Sequence, residues 1–173
     1  FNISLTLSGS SCSTACLRAS SIISLLQERY VSRFWSEPYS EQTKTVFKKL
    51  LSKKDEEETS ILKFEENSIL NSESEINSVE IFVLEGTYIN EFGEFKSGTY
   101  LRLPKEDEAF VKSNSGCTIF RKINYFKDDE QIIIDTSLIS WLAGHGNLEV
   151  MPLSTQTALV KWAKGKRFIP HKH

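Results

Sequence analysis

Apolar and polar residues alternate through most of the second half of the chain. The runs TSILKF (59–64), SVEIFVLEGTYI (78–89), GTYLRLP (98–104), CTIFRKINYF (117–126) and QIIIDT (131–136) are short and rich in β-branched and aromatic residues. Between them lie Asn, Ser, Gly, Asp and Glu, so the pattern predicts antiparallel strands joined by tight turns. In INEFGEFKSG (89–98), Asn90 and Gly93 can return one strand on the next, and Gly98 permits the bend that follows. Pro104 has no amide hydrogen to donate, so it ends its strand or sits at an edge. The expected architecture is an antiparallel barrel or double-sheet sandwich.

Before residue 59 the period changes. In SIISLLQERYVSRFW, Ile22, Ile23, Leu26, Tyr30 and Phe34 fall near helical spacing, with Ser20 or Ser21 as a cap, which predicts an amphipathic helix over 20–34. Its apolar stripe packs on the following domain or meets a partner. Residues 1–16 read as a loose lead-in. Pro38 blocks continuation of the helix, and EQTKTVFKKLL (41–51) fits either a strand or a short helix. SKKDEEE (52–58) changes sign midway and reads as a solvated hairpin tip or loop.

Residues 61–75, ILKFEENSILNSESE, align without a gap on 159–173, LVKWAKGKRFIPHKH. Ile61 matches Leu159, Lys63 matches Lys161, Phe64 matches Trp162 and Leu70 lies opposite Phe168. The implied organisation is a lead-in and helix over 1–34, a complete β domain over 35–130, and the opening strands of a second over 131–173.

Composition narrows the classes. The net charge of −2 and the scattered short basic clusters argue against general nucleic-acid binding. No apolar run approaches the roughly 18 residues of a membrane span. Three cysteines form no disulfide framework, so a reducing, cytoplasmic setting is expected. Cys12 and Cys16 lack a second ligand pair nearby and read as untied thiols; Cys117 reads as a small buried thiol entering a strand. His145, between two glycines, reads as a polar turn residue, and the first residue, Phe1, suggests a processed or incomplete start. Tyr88, Tyr100 and Arg102 are candidates to line a cavity.

Residues 79–104 and 113–126, with TSILKF and the terminal ALVKWAKGKRFIPHKH, resemble the ChrR-like cupins, and the resemblance extends over about 35–173. Members of that family are β-barrels that commonly bind zinc, iron or manganese through G-x5-H-x-H-x3,4-E and a second motif containing P-x-G-x2-H. Laid on this chain, the first motif's histidines fall on Glu73 and Glu75, its carboxylate on Val79 or Glu80, and the later histidine on Ala109. Gly98 and Pro104 keep the frame of the second motif, with Glu106 where its glycine would stand. Glu75 and Glu80 differ by an odd number and should face opposite ways on a strand, which disfavours a carboxylate trio with Glu73. The first unit is thus expected to be a degenerate site.

The first motif's spacing reappears as Gly165, His171 and His173, two metal ligands that do not close a site. No cofactor is therefore expected in this chain as it stands; a completed second domain would take zinc, iron or manganese. The resemblance implies a non-catalytic regulatory or binding protein with a degenerate metal site, whose partner is a small molecule or a regulatory protein. The alternatives are a metal-dependent enzyme such as a small-molecule dioxygenase, if a second barrel is completed, and a structural module for homo-oligomers.

Overall fold

The computed structural model describes residues 2–7, 38–40, 43–71, 78–104, 110–144 and 148–162. The helix expected over 20–34 lies outside them, as do Cys12, Cys16, Glu73, Glu75, Glu106, Ala109, His145, His171 and His173. The chain divides into two compact units, one over residues 35–137 and one built from 1–34 and 138–173.

In the first unit the strands are β2 (Pro38–Ser40), β3 (Thr43–Lys54), β4 (Glu57–Phe64), β5 (Ser68–Asn71), β6 (Val79–Asn90), β7 (Gly93–Lys96), β8 (Thr99–Leu103), β9 (Phe110–Ser113), β10 (Cys117–Ile123) and β11 (Ile132–Asp135). All pair antiparallel, and the main ladder runs β11-β8-β6-β10-β4-β3-β2. The alternating runs are strands as the sequence predicts. The ambiguous segment 41–51 contributes to a strand, β3, and β8 ends at Leu103, just before Pro104.

Turn residues act where expected. Asn90 faces Gly93 across the β6–β7 hairpin, and its Oδ1 accepts a hydrogen bond from the Phe92 amide at 2.9 Å. The β3–β4 hairpin closes over Asp55 and Glu56, with Asp55 at φ 53°. The charged run 52–58 is therefore only partly a tip: Glu57 and Glu58 belong to β4, and Glu58 is buried.

The closed barrel is not formed. The ladder is open, with β11 at one end and β2 at the other, and no pairing joins them among the described residues. The cause lies in β6. Its first half, Val79 to Phe82, pairs with β8 and β10, whereas Thr87 to Asn90 pairs with β7 and Ile89 meets β9. Gly86, at φ +74°, lies between the two halves, beside a bulge in the β10 register at Thr118/Ile119. A bulge and a left-handed glycine bend a strand, so β6 passes from one set of partners to another and the ladder folds over instead of closing.

Strand parity divides the side chains between two faces. Val79, Ile81 and Val83 of β6 join Leu62, Leu101 and Ile119 in the main apolar cluster. Tyr88 is part of that cluster, edge-on to Phe64 and tilted against Phe95, both with ring centroids 6.4 Å away. Burying these side chains contributes about 1.5–3 kcal/mol each.

The second unit holds β1 (Asn2–Leu7), β12 (Leu142–Ala143), β13 (Glu149–Pro152) and β14 (Thr157–Trp162), in the order β1-β14-β13-β12. A strand thus forms within the expected loose lead-in, where Ile3, Leu5 and Leu7 alternate with polar residues. Ser154 Oγ accepts from the Gln156 and Thr157 amides and closes the β13–β14 turn. Met151, Leu153 and Leu159 are buried, and Lys161 pairs with Glu149 at 2.6 Å.

Candidate functional site

Two polar clusters occupy opposite faces of the main sheet. The face away from the apolar cluster carries Glu80, Tyr100, Arg102 and Lys122, all buried. The Tyr100 hydroxyl donates to Glu80 Oε1 and Lys122 Nζ to Oε2, both at 2.5 Å. Lys122 also lies 4.4 Å from the centre of the Tyr125 ring, whose hydroxyl is 2.9 Å from Thr59 Oγ1. Arg102 binds Asp128 and stacks on Phe126. Glu80, one of the suggested carboxylate positions, is thus engaged by a cation and a phenol. Of the candidates for a cavity lining, Arg102 fastens Phe126, Asp128 and Glu130 to the sheet, and Tyr100 is tied to Glu80 of the neighbouring strand.

The other cluster shares the face of the apolar core. Lys48 of β3 is in register with Leu62, Arg121 of β10 with Ser60, and Glu58 of β4 with Ile123. Residues opposite one another across a ladder point the same way, so Lys48, Glu58, Ser60 and Arg121 sit beside Leu62, Ile81 and Ile119. Lys48 Nζ is 2.6 Å from Glu58 Oε1, and Arg121 Nη2 is 3.8 Å from the same oxygen. Side-chain exposure is 7% for Glu58 and 6% for Arg121, against 25% for Lys48, so the row opens toward solvent at Lys48. Its neighbour on that face, Leu50, is 52% exposed.

This row is not optimally satisfied. The Ser60 hydroxyl is buried with no hydrogen-bond partner among the described residues. Glu58 Oε1, although close to Lys48, lacks a contact of hydrogen-bond geometry; the ion pair is Coulombic and poorly aligned. An unsatisfied buried polar group costs about 1–3 kcal/mol. Apolar residues would stabilise such a face at least as well as ion pairs. Charges retained at this cost mark a candidate site.

A divalent metal does not fit this row, because two cationic side chains flank its single carboxylate. Among the described residues no three His, Cys, Asp or Glu side chains come together to hold an ion. Cys117 enters β10 buried, as expected, and burial pushes its thiol up to about 11. Sequence reasoning passed over Lys48, Glu58, Ser60 and Arg121. The available signal was inward parity, which puts Ser60 with Leu62 and Arg121 with Ile119.

The comparisons agree with this architecture. The ChrR Cupin-like domain model matches residues 27–127. No curated protein matches the sequence. Among solved structures, a dioxygenase candidate from Nostoc punctiforme aligns with a TM-score of 0.54 at 16% identity, over 69% of this chain and 50% of that one. YlbA from E. coli aligns with a TM-score of 0.48 at 14% identity, over 64% and 51%. The anti-sigma ChrR of Rhodobacter sphaeroides, solved in complex with SigE, aligns with a TM-score of 0.42 at 16% identity, over 46% and 44%. This chain spans about half the length of each. At 16% identity, the first of these alignments speaks to fold alone. With the antiparallel sheet and the match over 27–127, the chain belongs to the ChrR Cupin-like domain family.

Proposed function

We propose that the chain is a non-catalytic binding or regulatory cupin that holds a small polar molecule on the inner face of its sheet. The observation that carries this reading is the row Lys48, Glu58, Ser60 and Arg121, set among apolar side chains with a buried hydroxyl left unsatisfied. A site of this kind offers orientation and charge but no nucleophile paired with a base. The parity of β6 supports the degenerate reading of the first motif, since Glu80 lies on the other face and is held by Lys122 and Tyr100.

The test is a thermal-shift screen of small metabolites on protein purified without an affinity metal, with bound metal quantified by mass spectrometry in parallel. The expected result is a stabilising compound whose effect is lost in Arg121→Gln, together with well under one metal per chain. Stoichiometric metal with no stabilising compound would overturn the proposal.

A further inference from the structure

We propose that β11 pairs edge to edge with β11 of a second copy of this chain, antiparallel and centred on Ile133, so that the two main sheets run on into each other. The two ends of the ladder are built differently. At one end β2 holds Pro38, and β3 carries Lys44, Lys48, Lys49, Lys53 and Lys54 and a register shift between Leu50 and Ser52. Proline, lysines and bulges on outer strands are the devices that keep an edge from pairing with another chain. At the other end β11 is Ile132, Ile133, Ile134 and Asp135, paired with β8 without a register shift, and Ile133 is 43% exposed. An edge of three isoleucines without lysine, proline or bulge is built to be covered.

The backbone of β11 offers matching groups. The Thr136 amide donates to the Gly98 carbonyl, in line with the register of β11 on β8. Amides and carbonyls alternate in direction along an antiparallel strand, so Ile132 and Ile134 turn theirs toward β8, and Gln131, Ile133 and Asp135 turn theirs to the open side. A two-fold axis through Ile133 puts this residue opposite its own copy and Gln131 opposite Asp135 of the second copy. Each of these pairs then exchanges two hydrogen bonds across the joint.

Side chains match in the same register. Ile133 lies opposite Leu101, a member of the main apolar cluster, so its copy continues that apolar row across the joint. Ile132 and Ile134, half-buried on the other face, meet Ile134 and Ile132 of the second copy. The exposed Gln131 carboxamide can donate to the Asp135 carboxylate, whose Oδ1 already accepts from Ser137. Moving the axis to Ile132 sets Asp129 against Asp135, and moving it to Ile134 sets Asp135 against Ile133. Of these registers, only the one centred on Ile133 puts apolar on apolar with no two acids opposed. The strand is thus complementary to itself, which makes a second copy the occupant rather than a peptide of foreign sequence.

Sedimentation velocity of the full chain over a concentration series tests this, with circular dichroism to check folding. The wild type should form a reversible dimer. Ile133→Lys and Ile133→Glu each set like charges against one another across the axis and should weaken dimerisation about tenfold or more. An equimolar mixture of the two should recover a dimer, because opposite charges then meet there. Gln131→Glu, at an exposed position, places a carboxylate opposite Asp135 of the second copy and should weaken the dimer several-fold; it decides alone if an Ile133 variant fails to fold. Leu50→Lys, at the other end of the ladder, should leave the series unchanged. A wild type that stays monomeric overturns the proposal, as does a dimer that persists in Ile133→Lys or Gln131→Glu, or one that both Ile133 variants dissolve and their mixture fails to restore.

Discussion

Arg102 and Asp128 meet in two parallel hydrogen bonds, Nη1 to Oδ1 and Nη2 to Oδ2, each 2.7 Å. The same guanidinium lies 3.6 Å from the centre of the Phe126 ring and donates to the Glu130 carbonyl at 2.7 Å. One fully buried arginine thereby pins the segment between β10 and β11 to the sheet and delivers β11 to the edge of β8. The planar fork suits this bidentate grip in a way a lysine would not.

That pair sets an acid limit. The hydrogen bond from Arg102 holds the Asp128 carboxyl well below its ordinary value of 3.8, at about 2. A depressed folded-state value gives stability that is fully present above the unfolded value and is lost as pH falls through the folded one. The melting temperature of the wild type should therefore carry a component that disappears between about pH 4 and pH 2. Asp128→Asn should lack that component, leaving a shallower acid limb in a melting series from pH 6 to pH 2.

Glu80 neutralises a buried lysine. Removing one member of a buried ion pair costs about 3–5 kcal/mol, whereas replacing both members with apolar groups is often neutral. Glu80→Ala should be destabilising by about 3–5 kcal/mol in urea unfolding. Tyr100→Phe should lose about 1.5–3 kcal/mol, and the double variant Glu80→Met with Lys122→Met should recover most of the first loss.

Gly86 admits no side chain. A Cβ there would stand 2.1 Å from the Gly116 carbonyl oxygen, in a backbone at φ +74°. Gly86→Ala should destabilise the protein by well over about 1 kcal/mol. Gly93→Ala also meets a positive φ, but its nearest contact is the Phe95 ring at 3.8 Å, so its midpoint in chemical denaturation should fall less.

The Cys117 thiol should be inert in the folded protein. Burial pushes it up to about 11, so little thiolate exists at pH 8. Peptide-resolved iodoacetamide labelling at pH 8 should modify Cys117 slowly in the native protein and fully in urea. Rapid native labelling would mean that the start of β10 opens readily.

The strands were legible because their signal is local: period-2 alternation broken by Asn, Gly and Pro. β3 was ambiguous for a physical reason. Its register with β4 shifts between Leu50 and Ser52, so Leu51 is an extra residue that resets the alternation. Val46, Leu50 and Leu51 then mimic helical spacing. The open ladder was not legible, because closure depends on whether distant edges meet, and the bend of β6 at Gly86 sends its hydrogen bonds two ways. The site itself was hidden by sequence distance. Lys48, Glu58 and Arg121 converge from three strands, and Glu58 ends a charged run that reads as solvated. Arg102 and Tyr100 were singled out, but parity alone could not tell which face of β8 they occupy.

The pairing of β1 with β14, from Asn2 against Trp162 to Leu7 against Thr157, has a consequence for the order of assembly. As the chain emerges from the ribosome, β1 is made roughly 150 residues before its neighbour in the sheet, β14. Throughout that interval its row of amides and carbonyls waits, while the strands from β2 to β11 can already associate with one another. Contacts so remote in sequence form slowly, because a long loop must close before any pairing is gained. The sheet that joins β1 to β14 is thus set to form after the cupin unit, and a nascent chain stalled before residue 157 would present β1 as an unmatched edge.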